Sequence, residues 1–115
     1  MELKSQQTND VSVDAPSDAY DAMPYASYPY PETNPLRLQG VAALYGLKPP
    51  SPSKARILEI GCAEGVNIIG IAALFPHAEC VGIDMSARQI ETAKLHAATL
   101  GLSNVKLEAI SLSDI

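Results

Sequence analysis

The sequence has few basic residues and no long apolar run. Eight Lys and Arg residues stand against 13 Asp and Glu residues, which gives a formal charge of -5 and a pI near 4.8. Without a basic stripe, the chain has no surface that would release counterions from a nucleic-acid backbone or bind an anionic membrane. We therefore expect neither nucleic acid nor a membrane as a partner, and no apolar run reaches the roughly 18 residues of a membrane span.

The sequence is also poor in cysteine and lacks the marks of a secreted protein. Its first ten residues, MELKSQQTND, contain no apolar core of a secretion signal, so we expect a cytoplasmic protein. Cys62 and Cys80 have neither CxxC nor zinc-site spacing, and we predict no metal site. The two residues are expected to be reduced, small and buried.

The 115 residues allow one small domain, which the composition divides into three parts. Residues 1–19 are polar and acidic and are predicted to form a disordered tail. Residues 20–54 hold a strap rich in Tyr and Pro, one helix and a linker with three prolines. Residues 55–115 have the regular alternation of an α/β domain.

The strap, Tyr20 to Pro35, holds four of the five tyrosines of the chain, interleaved with prolines. Proline fixes the backbone in extended conformations, so the strap is either a stiff linker or a segment whose aromatic rings cover a ligand or a neighbouring surface. A helix is predicted to begin at Pro35, with Asn34 as its N-cap, and to end near Gly46.

The α/β part alternates short apolar strands with helices. A capping box at Ser86 and Gln89 begins the second of these helices, and Gly101 ends it. This order predicts parallel strands joined by right-handed crossovers in an open sheet. The predicted elements are a strand over Arg56–Ile60, a buried helix over Val66–Phe75, a strand over Cys80–Ile83, a helix after Ser86 and a strand over Asn104–Ile110.

Two features fall where the strands of such a sheet end, which is where open α/β sheets bind ligands. One is a glycine-containing turn, from Glu59 to Gly65, and the other is Asp84, which follows the second strand. Glycines and a small residue let the backbone turn sharply and approach a ligand. A carboxylate at the end of the next strand accepts both hydroxyls of a ribose, so turn and acid together indicate an adenosine-type ligand.

Charge narrows the choice of adenosine ligand. The turn departs from the G-x-G-x-x-G spacing of dinucleotide sites, and Glu59 and Glu64 flank it. Two carboxylates repel a pyrophosphate by roughly 1 kcal/mol each in water, and more when partly buried. The same carboxylates favour a ligand with an ammonium and a sulfonium group, such as S-adenosylmethionine. An NAD-dependent oxidoreductase half is therefore a weaker alternative, and no Walker A sequence follows the turn.

The segments LEIGCAEG, VGIDMS and NVKLEAISLSD resemble the class I S-adenosylmethionine-dependent methyltransferases. The upstream Tyr/Pro segment and DMSARQIETA resemble the subgroup with a C-terminal methyltransferase regulatory domain. The resemblance implies that residues 55–115 form the N-terminal half of a Rossmann-like doubly wound parallel sheet, with three strands and two crossover helices, truncated before the fourth strand.

The resemblance also implies a set of cofactor-binding residues. The glycine loop cradles the methionine part of the cofactor, and Ala63 replaces the middle glycine that is usual there. Asp84 matches the acid that binds the ribose, and Met85 matches a side chain packed on adenine. Ser111, with Leu112 next to it, stands where the family offers an acid to the adenine amino group. The predicted site therefore comprises Glu59, Gly61, Cys62, Ala63, Gly65, Asp84, Met85, Ser111 and Leu112, although small-residue packing is the favoured interpretation for Cys62.

The sequence names no catalytic residue and no methyl acceptor. We expect the acceptor side, and the second neighbour of the first strand, to come from a missing C-terminal half of the same protein, so that the fragment is inactive alone. A noncatalytic module that binds an adenosyl ligand without transferring a methyl group is the alternative from another functional class.

Overall fold

The computed structural model describes residues 29–114, and all structural statements below concern that part of the chain. The predicted tail and the first part of the strap, residues 20–28, lie outside the described residues. The predicted α/β order is confirmed. At most strand and helix ends, the observed bound differs from the predicted bound by a single residue. The elements are a 3-10 turn Pro31–Thr33, helix α1 Pro35–Leu44, a 3-10 turn Pro52–Lys54, strand β1 Arg56–Ile60, helix α2 Val66–Leu74, strand β2 Glu79–Asp84, helix α3 Ala87–Thr99, strand β3 Val105–Ala109 and a 3-10 turn Leu112–Asp114.

The three strands form one parallel sheet in the order β1-β2-β3. The register places Ile57 beside Cys80 and Gly82 beside Leu107. Alternate strand residues share a face of a sheet, so these four residues point to one side, where α2 and α3 pack against each other and the strands. The core lies between the helices and this face, with Ile68 and Ile90 almost completely buried in it.

The face of β1 that points away from the helices is not covered by other parts of residues 29–114. Leu58 is 57% exposed and Ile60 is 54% exposed, although both are large and apolar. Within residues 29–114, β1 pairs with β2 alone, so its outer edge is open, as the sequence predicted for a strand that is central in a larger sheet. The far edge of the sheet is different, because Lys106 and Glu108 form an ion pair on β3.

Local sequence signals position the helix ends. The Asn34 side chain accepts from the Leu36 N–H at 2.9 Å, and the Ser86 hydroxyl accepts from the Gln89 N–H at 3.2 Å, which confirms both predicted N-caps. Gly101 ends α3 with a φ of 65°, the left-handed conformation that only glycine adopts readily. The spacing of the apolar residues after Pro35 predicts an apolar stripe on this helix, but no residue of α1 is buried. The predicted stripe comprises Leu36, Leu38, Val41, Leu44 and Tyr45.

A single amide group closes the end of α2 that is remote from the glycine turn. The Asn104 Nδ2 donates to the carbonyl oxygens of Ala72, Phe75 and Ala78 at 3.0, 3.0 and 3.1 Å. Helix ends leave carbonyls unpaired, and the two N–H bonds of this side chain lie within reach of three carbonyls in and after the last turn of α2. No helix in residues 29–114 combines the length and apolar character of a membrane span.

Candidate cofactor-binding site

The turn between β1 and α2 is held against the end of β2. The backbone N–H groups of Gly61 and Cys62 both donate to the Ile83 carbonyl, at 2.8 and 2.9 Å. The turn uses left-handed backbone conformations three times, at Gly61 with φ 72°, Ala63 with φ 52° and Gly65 with φ 79°. Ala63 is the one non-glycine residue with positive φ among the described residues, and such strain is typical of ligand-binding turns.

Asp84 lies directly beside this turn. Its Oδ2 accepts from the Ala63 N–H at 2.9 Å, and its Oδ1 accepts from the Ser86 N–H at 2.8 Å. The Ile110 N–H donates to the Asp84 carbonyl at 2.9 Å, so the chain that follows β3 ends at the same edge of the sheet. The glycine turn, the acid and the segment containing Ser111 therefore meet at one place.

Glu59 contributes a carboxylate with one unpaired oxygen. Its Oε1 accepts from the Asn67 Nδ2 at 2.8 Å, whereas its Oε2 is buried and has no hydrogen-bond partner. Burial raises the pKa of the Glu59 carboxyl above its ordinary value, and hydrogen bonds from Asn67 and from the Ile68 backbone partly offset that rise. A buried oxygen without a donor is a place where a cationic or N–H-bearing ligand gains a bond without displacing one.

Cys62 packs inside the core. Its side chain is buried, and an added Cβ on Gly82 would lie 2.9 Å from the Cys62 Sγ, so the thiol occupies the space of a missing side chain. Burial, with added repulsion from Asp84 and Glu59, raises the pKa of the Cys62 thiol to about 12. The packing interpretation of this residue is therefore confirmed, as is the burial of Cys80.

The remaining predicted residues lie along the same edge. Met85 is partly buried next to Asp84, the Ser111 hydroxyl bonds to that of Ser113 at 2.9 Å, and Leu112 is 59% exposed. Gly65 is needed for packing, because a Cβ there would lie 2.9 Å from the Ile69 Cδ1 and 3.1 Å from the Ala93 Cβ. The cofactor contacts of all these residues stay predictions.

Asn67 is a site residue that the sequence reasoning missed. It is buried in the first turn of α2, and its side chain bonds to Glu59, to Thr33 and to the backbone of Tyr30. The available signal was its polarity, because Asn67 is the only polar side chain in the helix sequence VNIIGIAAL. Among residues 29–114, no group of three or more His, Cys, Asp or Glu side chains has the arrangement of a metal site.

Comparison with known proteins places this geometry in a family. Residues 51–115, more than half of the chain, match the methyltransferase domain family. The chain belongs to that family. The methyltransferase domain is also similar to PKMT2 from Rickettsia typhi, whose structure was solved with AdoHcy, at 36% identity and a TM-score of 0.75 over 80% of this chain and 18% of that one.

Two curated relatives are similar to most of this chain. Uncharacterized protein RP789 of Rickettsia prowazekii is 44% identical over 101 residues, which are 88% of this chain and 18% of the relative. The Ubiquinone biosynthesis O-methyltransferase of Neisseria meningitidis is 34% identical over 87 residues, which are 73% of this chain and 33% of the relative. The chain thus spans about a fifth to a third of these relatives. The predicted family, class I S-adenosylmethionine-dependent methyltransferases, the predicted half-sheet and the cofactor of that family are confirmed.

Proposed function

We propose that this chain is the donor-binding part of an S-adenosylmethionine-dependent methyltransferase. The observation that carries the proposal is the hydrogen bond from the Ala63 N–H to the Asp84 Oδ2 at 2.9 Å. It brings the glycine turn and the strand-end acid into one site, which is the arrangement that an adenosyl ligand with a charged amino-acid tail needs.

The side chains of the site fit the two ends of that ligand. Each oxygen of the Asp84 carboxylate accepts one backbone N–H and keeps a further lone pair, so it has capacity for the hydroxyls of a ribose. The unpaired Oε2 of Glu59 is a buried acceptor for the ammonium group of the methionine part. A Cβ at Gly61 would meet nothing within 4 Å, so the backbone of the turn borders open space there.

The bound cofactor supplies a methyl group on a sulfonium, and transfer is an in-line displacement that depends on alignment. The described residues bind and orient the donor. We propose that the residues on the acceptor side come from parts of the protein outside residues 29–114, so that the chain by itself binds the donor without transferring its methyl group. A cytoplasmic location is a further part of the proposal, supported by the two free buried thiols.

Calorimetry of the purified chain with S-adenosylmethionine, S-adenosylhomocysteine and NAD tests the proposal. We expect both adenosyl amino-acid ligands to bind more tightly than NAD, because the acids of the site repel a pyrophosphate. Tighter binding of NAD, or no binding of either adenosyl ligand by folded protein, would overturn it. Conversion of S-adenosylmethionine to S-adenosylhomocysteine by the chain alone, followed by mass spectrometry, would contradict the proposed division of labour.

A further inference from the structure

The end of the strap is attached to the cofactor-binding site through one side chain. The Tyr30 backbone N–H donates to the Asn67 Oδ1 at 2.7 Å, and the Asn67 Nδ2 donates to the Thr33 hydroxyl at 3.0 Å. The same Nδ2 donates to the Glu59 Oε1 at 2.8 Å. Both N–H bonds of the amide are thereby used, one toward the strap and one toward the site.

The orientation of this amide is fixed by its partners. Rotation of the Asn67 side chain by half a turn would place its oxygen against the Glu59 carboxylate and its NH₂ group against the Tyr30 N–H, so both contacts would become repulsive. The Thr33 hydroxyl accepts from the Asn67 Nδ2 and donates to the Tyr30 carbonyl at 2.8 Å, and it also lies 3.4 Å from the Asn67 Oδ1. Strap, amide and carboxylate therefore form a directional chain of hydrogen bonds.

Each end of this chain depends on the other. Asn67 is only 7% exposed with the strap docked, and departure of the strap would remove the Tyr30 donor from its oxygen. Loss of the amide donor would in turn leave the half-buried Glu59 carboxylate without its side-chain partner, and only the hydrogen bond from the Ile68 backbone would still hold it. The strap thus holds the amide in place, and the amide holds the Glu59 Oε1 so that the unpaired Oε2 is presented in one position.

We infer that Asn67 is a positioning residue that couples docking of residues 29–34 to ligand binding at Glu59. The inference rests on the proposed function, because it takes the Glu59 Oε2 as the acceptor for the ammonium of the ligand. A ligand that fixes the Glu59 carboxylate fixes the amide and the strap with it. Because such coupling is reciprocal, a docked strap raises the affinity for the ligand.

The sequence offers a direct probe of the strap. Tyr30 lies between Pro29 and Pro31, which carry no backbone N–H, so its amide is isolated. In protein labelled with ¹⁵N-tyrosine, five tyrosines give at most five amide signals, and Tyr30→Phe identifies the signal of Tyr30 by removing it. Hydrogen exchange of this one N–H then reports whether the strap is docked.

We expect saturating S-adenosylhomocysteine to slow exchange of the Tyr30 N–H by about fivefold or more, the lower range of ordinary coupling between sites. Asn67→Leu should abolish this slowing and weaken binding of S-adenosylhomocysteine about tenfold. Asn67→Asp keeps the size of the side chain and an acceptor for Tyr30 but loses the donor to Glu59. Asn67→Asp should abolish the slowing as well, and it replaces the leucine variant in the test if that variant does not fold.

Asn104→Ala is the matched control, because it removes the amide that closes the opposite end of α2 and touches neither the strap nor Glu59. It should keep the ligand-induced slowing, whereas a merely structural role of Asn67 would make the two variants alike. If the unaltered chain binds S-adenosylhomocysteine while exchange at Tyr30 stays unchanged, or if Asn67→Asp retains the slowing, the coupling is refuted and the proposed function stands. If the folded chain does not bind the ligand, both are refuted.

Discussion

Ala63 donates its backbone N–H to the Asp84 Oδ2 across 2.9 Å, and this bond joins two segments that are 21 residues apart in the chain. The donor belongs to a turn with left-handed backbone, and the acceptor ends the neighbouring strand. The carboxylate therefore holds the turn in shape, and the proposed function gives it a second task, which is to bind the ribose. A change at Asp84 acts on both.

Asp84→Asn should weaken binding of S-adenosylhomocysteine by about 1–3 kcal/mol, as loss of charged hydrogen bonds does. An amide keeps one acceptor oxygen but turns an NH₂ group toward either the Ala63 or the Ser86 N–H. Calorimetry measures the change. The control is Glu79→Gln at the opposite end of the same strand, whose exposed ion pair with Arg56 contributes little. Equal affinities of the two variants would contradict the ribose assignment.

Glu59→Gln should separate stability from binding. Burial raises the pKa of the Glu59 carboxyl, so the folded state holds its proton more tightly than the unfolded state does. The stability that this proton contributes is present below the ordinary pKa of 4.5 and is lost as the pH rises through the raised value. Glutamine remains neutral, so we expect the variant to lack this loss while binding S-adenosylhomocysteine more weakly at pH 7.

Urea denaturation of both proteins between pH 4 and pH 8 measures this difference. The free energy of unfolding of the variant, relative to the unaltered chain, should rise with pH across the interval above 4.5. A constant difference at all pH values would show that the carboxyl titrates alike in the folded and unfolded chain.

Gly82→Ala should destabilise the fold by about 1–3 kcal/mol through overpacking. The new Cβ would lie 2.9 Å from the Cys62 Sγ, 3.0 Å from the Leu107 Cδ2 and 3.1 Å from the Ile68 Cγ2. Thermal unfolding measures the effect, and Cys62→Ala in the same protein should recover part of it by removing the nearest atom. Gly40→Ala is the control, because a Cβ there meets nothing within 4 Å and alanine favours the helix.

The Cys62 thiol should resist alkylation in the folded protein. Its pKa is raised to about 12 and its side chain is buried, so almost no thiolate is present or accessible at pH 8. We expect iodoacetamide to modify Cys62 only in denaturant, at a rate that follows unfolding, as mass spectrometry of the labelled peptide would reveal. Rapid labelling under native conditions would place the thiol on the ligand side of the turn instead.

Local signals in the sequence were sufficient for most of the fold. The N-caps at Asn34 and Ser86, and the glycine that ends α3, depend on residues within a few positions of each other, and the structure has each where it was predicted. The convergence of the glycine turn and Asp84 also follows from a general rule, because parallel strands bring their carboxyl ends to one edge.

What the sequence did not predict depends on contacts between distant segments. Asn67 gains its role from Tyr30 and Glu59, which are 37 and 8 residues away, and no local pattern reports those distances. The apolar stripe of α1 was recognised from its spacing, but its exposure could not be, because periodicity states which face is apolar and not what covers it.

The two edges of the sheet differ in how readily another strand can pair with them. On β3, Lys106 and Glu108 place charge on the outer strand, which discourages another strand from adding there. On β1, the side chains of Leu58 and Ile60 are apolar and exposed. Within residues 29–114, the backbone of β1 pairs with one strand only, so its outer edge is open. We therefore expect a further strand to pair with the open edge of β1, and we expect β3 to remain an edge strand.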